Sequence, residues 1–195
     1  IREVDAYLVA KKFMDGYEII VSNSASRDGT AAIVEKLMRD LPCLRIINLE
    51  NKGKGWAVKR GMVEAKGNIR IFSDADNSTA PEYFDSMESF FDRGYDIVVS
   101  SRDAKDAPGA HQAVSQPLHK RLMGNLGNLF IQLVAVRGFW DTQCGFKAFR
   151  DHAAEKIYSR TVIDGWGFDI EVLSEPRREG IVPSSTTVQS SEATF

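Results

Sequence analysis

The sequence is poor in cysteine, in excess charge and in long apolar runs. Its 195 residues include two cysteines, Cys43 and Cys144, and no Cys-x-x-Cys pair. This excludes a disulfide framework and a cysteine zinc site, and it favours a reducing compartment. The formal net charge of −2 argues against a protein that binds nucleic acid through a global basic field. No apolar stretch approaches the roughly 20 residues of a membrane helix, and no signal peptide is recognisable.

Two glycine-rich nucleotide-binding motifs are also missing. The sequence contains neither Gly-x-Gly-x-x-Gly nor Gly-x-x-x-x-Gly-Lys-Ser/Thr. Their absence argues against a dinucleotide-dependent enzyme and against a P-loop protein.

What the chain does have is a regular alternation of apolar strands and amphipathic helices. Strands are predicted near residues 20, 47, 71 and 98, with helical patterns between them. This rhythm is typical of parallel strands joined by right-handed crossovers, which would be neighbours in one sheet. Because the strands are almost entirely apolar, helices should cover both faces of the sheet. We therefore predict an α/β three-layer sandwich with a mostly parallel central sheet.

The two ends of the chain carry separate expectations. Val4, Leu8 and Phe13 form a helical pattern that runs directly into the first predicted strand. Since such a helix normally returns from an earlier strand, we expect that a first strand is missing from this chain. We expect one domain over residues 1–173. Residues 174–195 are rich in Ser, Thr, Glu and Pro and have no predicted structure, so they form either a disordered or a discontinuous tail.

Asp74 and Asp76 follow the third predicted strand. In extended chain their side chains lean the same way, and two converging carboxylates repel each other unless a cation lies between them. Oxygen ligands suit Mg²⁺ or Mn²⁺, which commonly keep substrate phosphates as further ligands. Taken alone, an Asp-x-Asp pair is more often part of a solvated turn. The metal site is therefore predicted only if neighbouring segments support it.

Two further polar loops, at residues 22–30 and 51–55, are expected at the same edge of the sheet. Ligands of such sheets bind beyond the carboxyl ends of the strands. Lys52 and Lys54 could contact phosphates, and residues 22–26 could accept hydrogen bonds from a base or ribose. Solvated turns remain an alternative for both loops. A metal together with a nucleotide diphosphate indicates group transfer with the diphosphate as leaving group.

A long amphipathic helix is predicted from Pro117, with an apolar stripe between Leu118 and Val134. Core packing is the simpler explanation of this stripe. The alternative is a helix that lies near a membrane surface or a lipid chain.

Four segments of the chain resemble family 2 glycosyltransferases, especially the polyprenyl- and dolichyl-phosphate glucosyl- and mannosyltransferases. They are Asn51–Gly61, Asp74–Pro81, Asp141–Lys147 and Phe168–Glu171, and the string Asp-Thr-Gln-Cys-Gly-Phe-Lys at 141–147 is the most specific. The resemblance implies a GT-A fold and an inverting hexosyltransferase that uses Mg²⁺ or Mn²⁺. It further implies a nucleotide-diphosphate sugar donor of the UDP-glucose or GDP-mannose type and a polyprenyl or dolichyl phosphate acceptor. Such an enzyme would be cytoplasmic, at or anchored to the cytoplasmic face of a membrane.

The same resemblance assigns roles to individual residues. Asp74 and Asp76 would hold the metal and the diphosphate. The catalytic set would be Asp76, Asp141 and Gln143, with the last two beside the sugar and the reacting centre. The substrate-binding set would be Asn23, Ser24, Lys54, Asp74, Arg102, Arg121 and Asn125. Because the acceptor phosphate is already an anion, its positioning by Arg102 and Arg121 would be the main demand on the acceptor side.

The chain departs from the family pattern at the donor base. Asn23 and Ser24 stand where the family usually carries one or two aspartates, which leaves the identity of the base open. The family's opening Pro-x-Tyr-Asn-Glu loop is absent too, in line with the missing first strand. Two alternatives therefore stay open: the same fold and donor with a glycan or protein acceptor, and a nucleotide-sugar-binding protein without activity.

Overall fold

The computed structural model describes residues 1–13, 16–103, 105–106, 136, 139–176 and 181–187. Its helices are α1 (Arg2–Lys11), α2 (Thr30–Leu37), α3 (Lys54–Glu64), α4 (Phe84–Asp92, after a 3₁₀ helix at Pro81–Tyr83), α5 (Asp151–Tyr158) and α6 (Phe168–Ser174). Its strands are β1 (Ile19–Ser24), β2 (Leu44–Leu49), β3 (Ile69–Ser73), β4 (Ile97–Ser101), β5 (Phe146–Arg150) and β6 (Pro183–Thr187). The helix predicted from Pro117, with Arg121 and Asn125, lies outside these residues.

The described strands form two sheets. β1 and β2 pair in parallel, from Ile19 opposite Leu44 to Ser24 opposite Leu49. The other sheet has the order β3-β5-β4-β6, in which β5 is antiparallel to both neighbours and β6 is parallel to β4. The prediction of parallel neighbours is therefore right for β1 and β2. It is wrong for β2 and β3, which lie in different sheets, and for β3 and β4, which are separated by β5.

Sequence periodicity predicts neither the place of β5 in the sheet nor the presence of strand β6. β5 comes from much later in the chain, and its pairing with β3 places Lys147 opposite Phe72. β6 has the sequence Pro-Ser-Ser-Thr-Thr, which lacks the apolar residues by which strands are recognised. Its backbone nevertheless pairs with β4 from Ile97–Pro183 to Ser101–Thr187. Part of the 174–195 segment thus lies in the same sheet as β4, and the domain limits as a whole stay a prediction.

The core lies on both faces of this four-stranded sheet. All five residues of β4 are buried. Ile97 and Val99 pack in a cluster with residues of α5 and α6, whereas Val98 packs in a second cluster under α4. Because neighbouring strand residues point to opposite faces, the two clusters lie on opposite sides of the sheet. This is the predicted arrangement of helices on both faces.

Helix α3 packs against both sheets. A Cβ atom at Gly61 would lie 2.8 Å from Ser22 Oγ of β1, so the helix backbone approaches this strand closely. On the other sheet, Arg70 Nη1 of β3 donates to Met62 O at 2.9 Å. These two contacts fix the C-terminal half of α3, whereas its start is held by Gly53 N–H, which donates to Ser24 Oγ at the end of β1. Within the described ranges, no helix combines the length and apolar content needed to cross a bilayer.

Candidate functional site

Asp74 follows the last residue of β3 and is held on two sides. Its backbone N–H donates to Gly145 O at 3.1 Å, and its Oδ1 lies 2.8 Å from Lys54 Nζ. A Cβ atom at position 145 would overlap Asp74 Oδ2, so a larger residue there would displace this carboxylate. The site is thus formed where the end of β3 meets the turn before β5 and the start of α3.

Lys54, the first residue of α3, connects this carboxylate with two aromatic rings. Its Nζ lies 5.7 Å from the ring centroid of Phe72 and 4.8 Å from that of Trp166. These distances allow cation–π attraction. The glycines that flank Lys54 let the Trp166 segment come close, since a Cβ atom at Gly53 would lie 2.6 Å from Asp164 O. Sequence reasoning did not find Trp166, although its position between two glycines was a signal for an exposed turn.

Arg102 and Asp141 form a bidentate ion pair at the end of β4. Arg102 Nε lies 2.7 Å from Asp141 Oδ2, Arg102 Nη2 lies 3.0 Å from Oδ1, and the Arg102 backbone N–H also donates to Oδ2. Burial by itself would raise the pKa of Asp141. The hydrogen bonds and charge of Arg102 outweigh burial, so the pKa lies below its ordinary value. Asp141 is therefore a fixed anion and a weak proton acceptor.

The two ion pairs belong to one electrostatic cluster. The pKa of Arg102 is raised chiefly by its hydrogen bond to Asp141 and further by the charge of Asp74. The side chains of Lys54, Asp74, Arg102 and Asp141 thus lie at the same edge of the sheet, and their role in a functional site stays a prediction.

A third ion pair, Lys147 with Asp169, lies buried behind the site. The Lys147 side chain is 0% exposed and that of Asp169 is 3% exposed. Lys147 Nζ also donates to Cys144 O at 2.6 Å and lies 5.2 Å from the Phe72 ring centroid. Burial raises the pKa of Asp169, and the nearby Lys147 opposes this shift only in part. The sequence held one signal for the pair, because a lysine between Phe146 and Ala148 in a strand requires a partner.

Asn23 and Ser24 hold parts of the protein itself. Asn23 is 7% exposed; its Nδ2 donates to Asn48 Oδ1 at 2.8 Å and its Oδ1 accepts from Ser26 N–H at 3.2 Å. Ser24 Oγ accepts from Gly53 N–H at 2.9 Å. Both side chains therefore fix the loops around the start of α3. Their expected contact with a nucleotide base stays a prediction.

The remaining predicted site residues make no described contact with the two ion pairs. Asp76 is exposed, and its Oδ1 accepts from Ser78 N–H at 3.0 Å, as in an Asx turn. Gln143 is exposed two residues after Asp141. Arg121 and Asn125 lie outside the described residues. The structure thus brings part of the predicted set together, and the roles of these four residues stay predictions.

The chemistry of the Asp74 carboxylate suits a divalent cation, although the described residues alone do not form a complete metal site. An ammonium group already lies against this carboxylate, and the available ligands are the oxygens that Mg²⁺ and Mn²⁺ prefer. Among the residues that the structure describes, no three His, Cys, Asp or Glu side chains converge on one point. A metal held by Asp74 and Asp76 would therefore complete its coordination with diphosphate oxygens.

Comparison with known proteins places the chain in a family. The family model described as Glycosyl transferase family 2 matches residues 7–158. The dolichyl-phosphate beta-glucosyltransferase of Dictyostelium discoideum is 34% identical over 169 residues, which cover 80% of this chain and 50% of that protein. The human protein of the same name is 30% identical over 166 residues, with the same two coverages. The chain spans about half the length of the curated relatives it matches.

Solved structures show the same fold. A glucosyl-3-phosphoglycerate synthase from Mycobacterium tuberculosis, in complex with Mn²⁺, UDP-glucose and phosphoglyceric acid, matches with a TM-score of 0.63 and 17% identity. The match covers 97% of this chain and 66% of that one. A mannosyl-3-phosphoglycerate synthase from Rubrobacter xylanophilus matches with a TM-score of 0.59 and 17% identity, over 94% and 59% of the two chains. The predicted GT-A fold is thereby confirmed.

Proposed function

The chain belongs to glycosyl transferase family 2, and we propose that it transfers glucose from a nucleotide-diphosphate sugar to dolichyl phosphate or a related polyprenyl phosphate, with inversion at the anomeric carbon. The names of its relatives support the sugar and the acceptor. We further propose that Mg²⁺ or Mn²⁺ is required and that UDP-glucose is the donor. Structural neighbours were crystallised with Mn²⁺ and UDP-glucose.

One observation carries the donor side of this proposal: the Asp74 carboxylate at the end of β3 is paired with Lys54 and lies against Gly145, whose lack of a side chain leaves room for it. A bound metal would supply Lewis-acid stabilisation of the charge on the departing diphosphate. Asp74 and Asp76 would hold that metal. The Lys54 ammonium lies 2.8 Å from Asp74 Oδ1. From this position it would bind an oxygen of a diphosphate held beside Asp74.

On the acceptor side, Arg102 and Asp141 act as a unit. The bidentate pair fixes the guanidinium, whose side chain is still 33% exposed and can bind a phosphate. The lipid phosphate attacks as an anion and needs orientation more than deprotonation. This agrees with the lowered pKa of Asp141, because such a carboxylate orients its neighbours and accepts protons poorly.

The acceptor also sets the proposed location. Dolichyl phosphate is a membrane lipid, so we propose that the chain works at a membrane surface. The described cysteines Cys43 and Cys144 are free, which favours the cytoplasmic side.

The direct test is to incubate the protein with radiolabelled UDP-glucose or GDP-mannose, dolichyl phosphate in detergent, and Mg²⁺ or Mn²⁺. We expect labelled lipid from UDP-glucose, soluble in organic solvent, that disappears on chelation and returns with added metal. If no combination of donor and metal gives lipid-linked sugar, the proposal is wrong.

Asp74→Asn tests the observation on which the proposal depends. We expect glucosyl transfer to fall by at least about a hundredfold, because the site loses its anchoring charge. The melting temperature should change little, since the Lys54–Asp74 pair is partly exposed. Asp40→Asn removes a carboxylate paired with Arg2 at the surface and serves as the control that keeps full activity.

A further inference from the structure

The segment between α5 and α6, which we call the 159–167 loop, exposes three large apolar side chains. Val162 is 79% exposed, Trp166 is 74% exposed and Ile163 is 42% exposed. Single exposed apolar residues are common, but three within five positions form a patch of the kind that marks an interaction surface.

This exposure is built into the fold. The backbone N–H groups of Val162 and Ile163 both donate to the Glu171 carboxylate at 2.9 Å, and Lys59 Nζ donates to Thr161 O at 2.6 Å. The loop backbone is thus tied to α6 and α3 while its apolar side chains point away from the core. A fixed loop of this form presents its apolar groups without further ordering cost.

The patch adjoins the proposed active site. The Trp166 ring lies 4.8 Å from Lys54 Nζ, and that ammonium pairs with Asp74. Lys59 lies beneath the same loop, and Lys52 is exposed on the glycine loop that packs against residue 164.

Aliphatic groups, a tryptophan and lysines on one surface match the chemistry of a bilayer interface. Tryptophan rings favour the headgroup level, and lysine ammonium groups favour lipid phosphates. Two acidic groups lie on the same surface: Asp164, which is exposed within the loop, and Glu171, whose carboxylate accepts from the backbone N–H groups of Val162 and Ile163.

We propose that the 159–167 loop docks on a lipid bilayer, with Val162, Ile163 and Trp166 entering the headgroup region and the Lys54–Asp74 site facing the membrane surface. The choice of a bilayer as the partner rests on the proposed function, because the phosphate of a membrane-bound acceptor has to reach this site.

The test is co-sedimentation with phosphatidylcholine–phosphatidylserine vesicles. The variant Val162→Ser/Ile163→Ser should bind at least about tenfold more weakly, which corresponds to the loss of about 1.4 kcal/mol of apolar burial. The matched control is Val9→Ser/Ile33→Ser, since these two residues are 56% and 62% exposed on α1 and α2. It should bind like wild type. If the double variant fails to fold, Val162→Ser alone replaces it.

Fluorescence gives a second, independent measurement. Brominated lipids in the vesicles should quench part of the tryptophan emission of the wild type, and Trp166→Phe should remove that quenched part. Wild-type protein that stays in the supernatant, or equal binding by the 162/163 variant, would overturn the proposal.

Activity assays separate this inference from the proposed function. With a short-chain prenyl phosphate in detergent, the 162/163 variant should work as well as wild type, whereas with vesicle-embedded dolichyl phosphate it should be impaired about tenfold. Vesicle binding that depends on the loop without any glucosyl transfer would contradict the function and keep the docking surface. If the 162/163 variant transfers glucose to embedded dolichyl phosphate as well as wild type, the docking surface is contradicted and the function is kept.

Discussion

At the scale of single residues, Arg102 stabilises the fold by pairing with the Asp141 carboxylate. Arg102→Ala would leave Asp141, whose side chain is 11% exposed, without its cation. We expect a loss of about 3 kcal/mol in the free energy of unfolding at neutral pH, measured by urea denaturation. Arg2→Ala, which breaks a pair whose side chains are 67% and 61% exposed, should change stability little.

The same variant should alter the pH dependence of stability. A carboxylate whose pKa is lowered in the folded state contributes stability above its unfolded pKa of about 3.9 and loses it as pH falls through the folded value. The stability difference between wild type and Arg102→Ala should therefore be full at neutral pH and shrink in acid. A difference that is constant down to the lowest pH at which the protein folds would show that Asp141 does not titrate as inferred.

Residue types predicted which groups could do chemistry, but not what each group contacts. Asp74, Lys54 and Arg102 were predicted as site residues, and the structure places them in one electrostatic cluster. Asn23 and Ser24 were predicted to face a base, which stays a prediction, and the structure shows that their side chains bind protein atoms. A hydrogen-bonding side chain looks the same in sequence whether its partner is a ligand or a loop.

At the scale of elements, Lys147 and Asp169 join β5 to α6 through the core. Lys147→Met would leave a buried carboxylate unpaired and should cost about 3–5 kcal/mol in the free energy of unfolding. In the double variant Lys147→Met/Asp169→Leu no charge is left buried, so the total loss should be smaller than the sum of the two single losses. Urea denaturation of all four proteins measures this coupling, and strictly additive losses would contradict it.

The junction between α3 and the 159–167 loop depends on a glycine. A Cβ atom at Gly55 would overlap Ile163 O and lie 2.7 Å from Phe168 Cβ, whereas one at Gly165 would meet nothing within 4 Å. We expect Gly55→Ala to cost about 1–3 kcal/mol of stability through overpacking. Gly165→Ala should be nearly neutral. Equal melting temperatures for the two variants would show that the junction accommodates the added methyl group at no cost in stability.

At the scale of the whole molecule, protection should differ between the two sheets. β4 is buried along its whole length, while β1 is half-buried at every residue but Asn23. Since buried elements open only through large unfolding events, the amides of β4 and β5 should exchange hydrogen most slowly and those of β1 faster. Hydrogen exchange followed by mass spectrometry measures this, and equal protection of both sheets would refute it.

The sequence by itself determined the local structure and the chemistry. Apolar periodicity and turn residues set the strands and helices from α1 to β4, because these depend on neighbours a few residues apart. The Asp-x-Asp pair, the glycine loop and the 141–147 string identified the family and predicted the kind of site.

Only the tertiary structure decided how distant segments meet. The insertion of β5 between β3 and β4, the pairing of polar β6 with β4, and the contact of Trp166 with Lys54 all join residues far apart in the chain. Such pairings depend on backbone hydrogen bonds and on the room left by glycines, and neither leaves a periodic trace in the sequence.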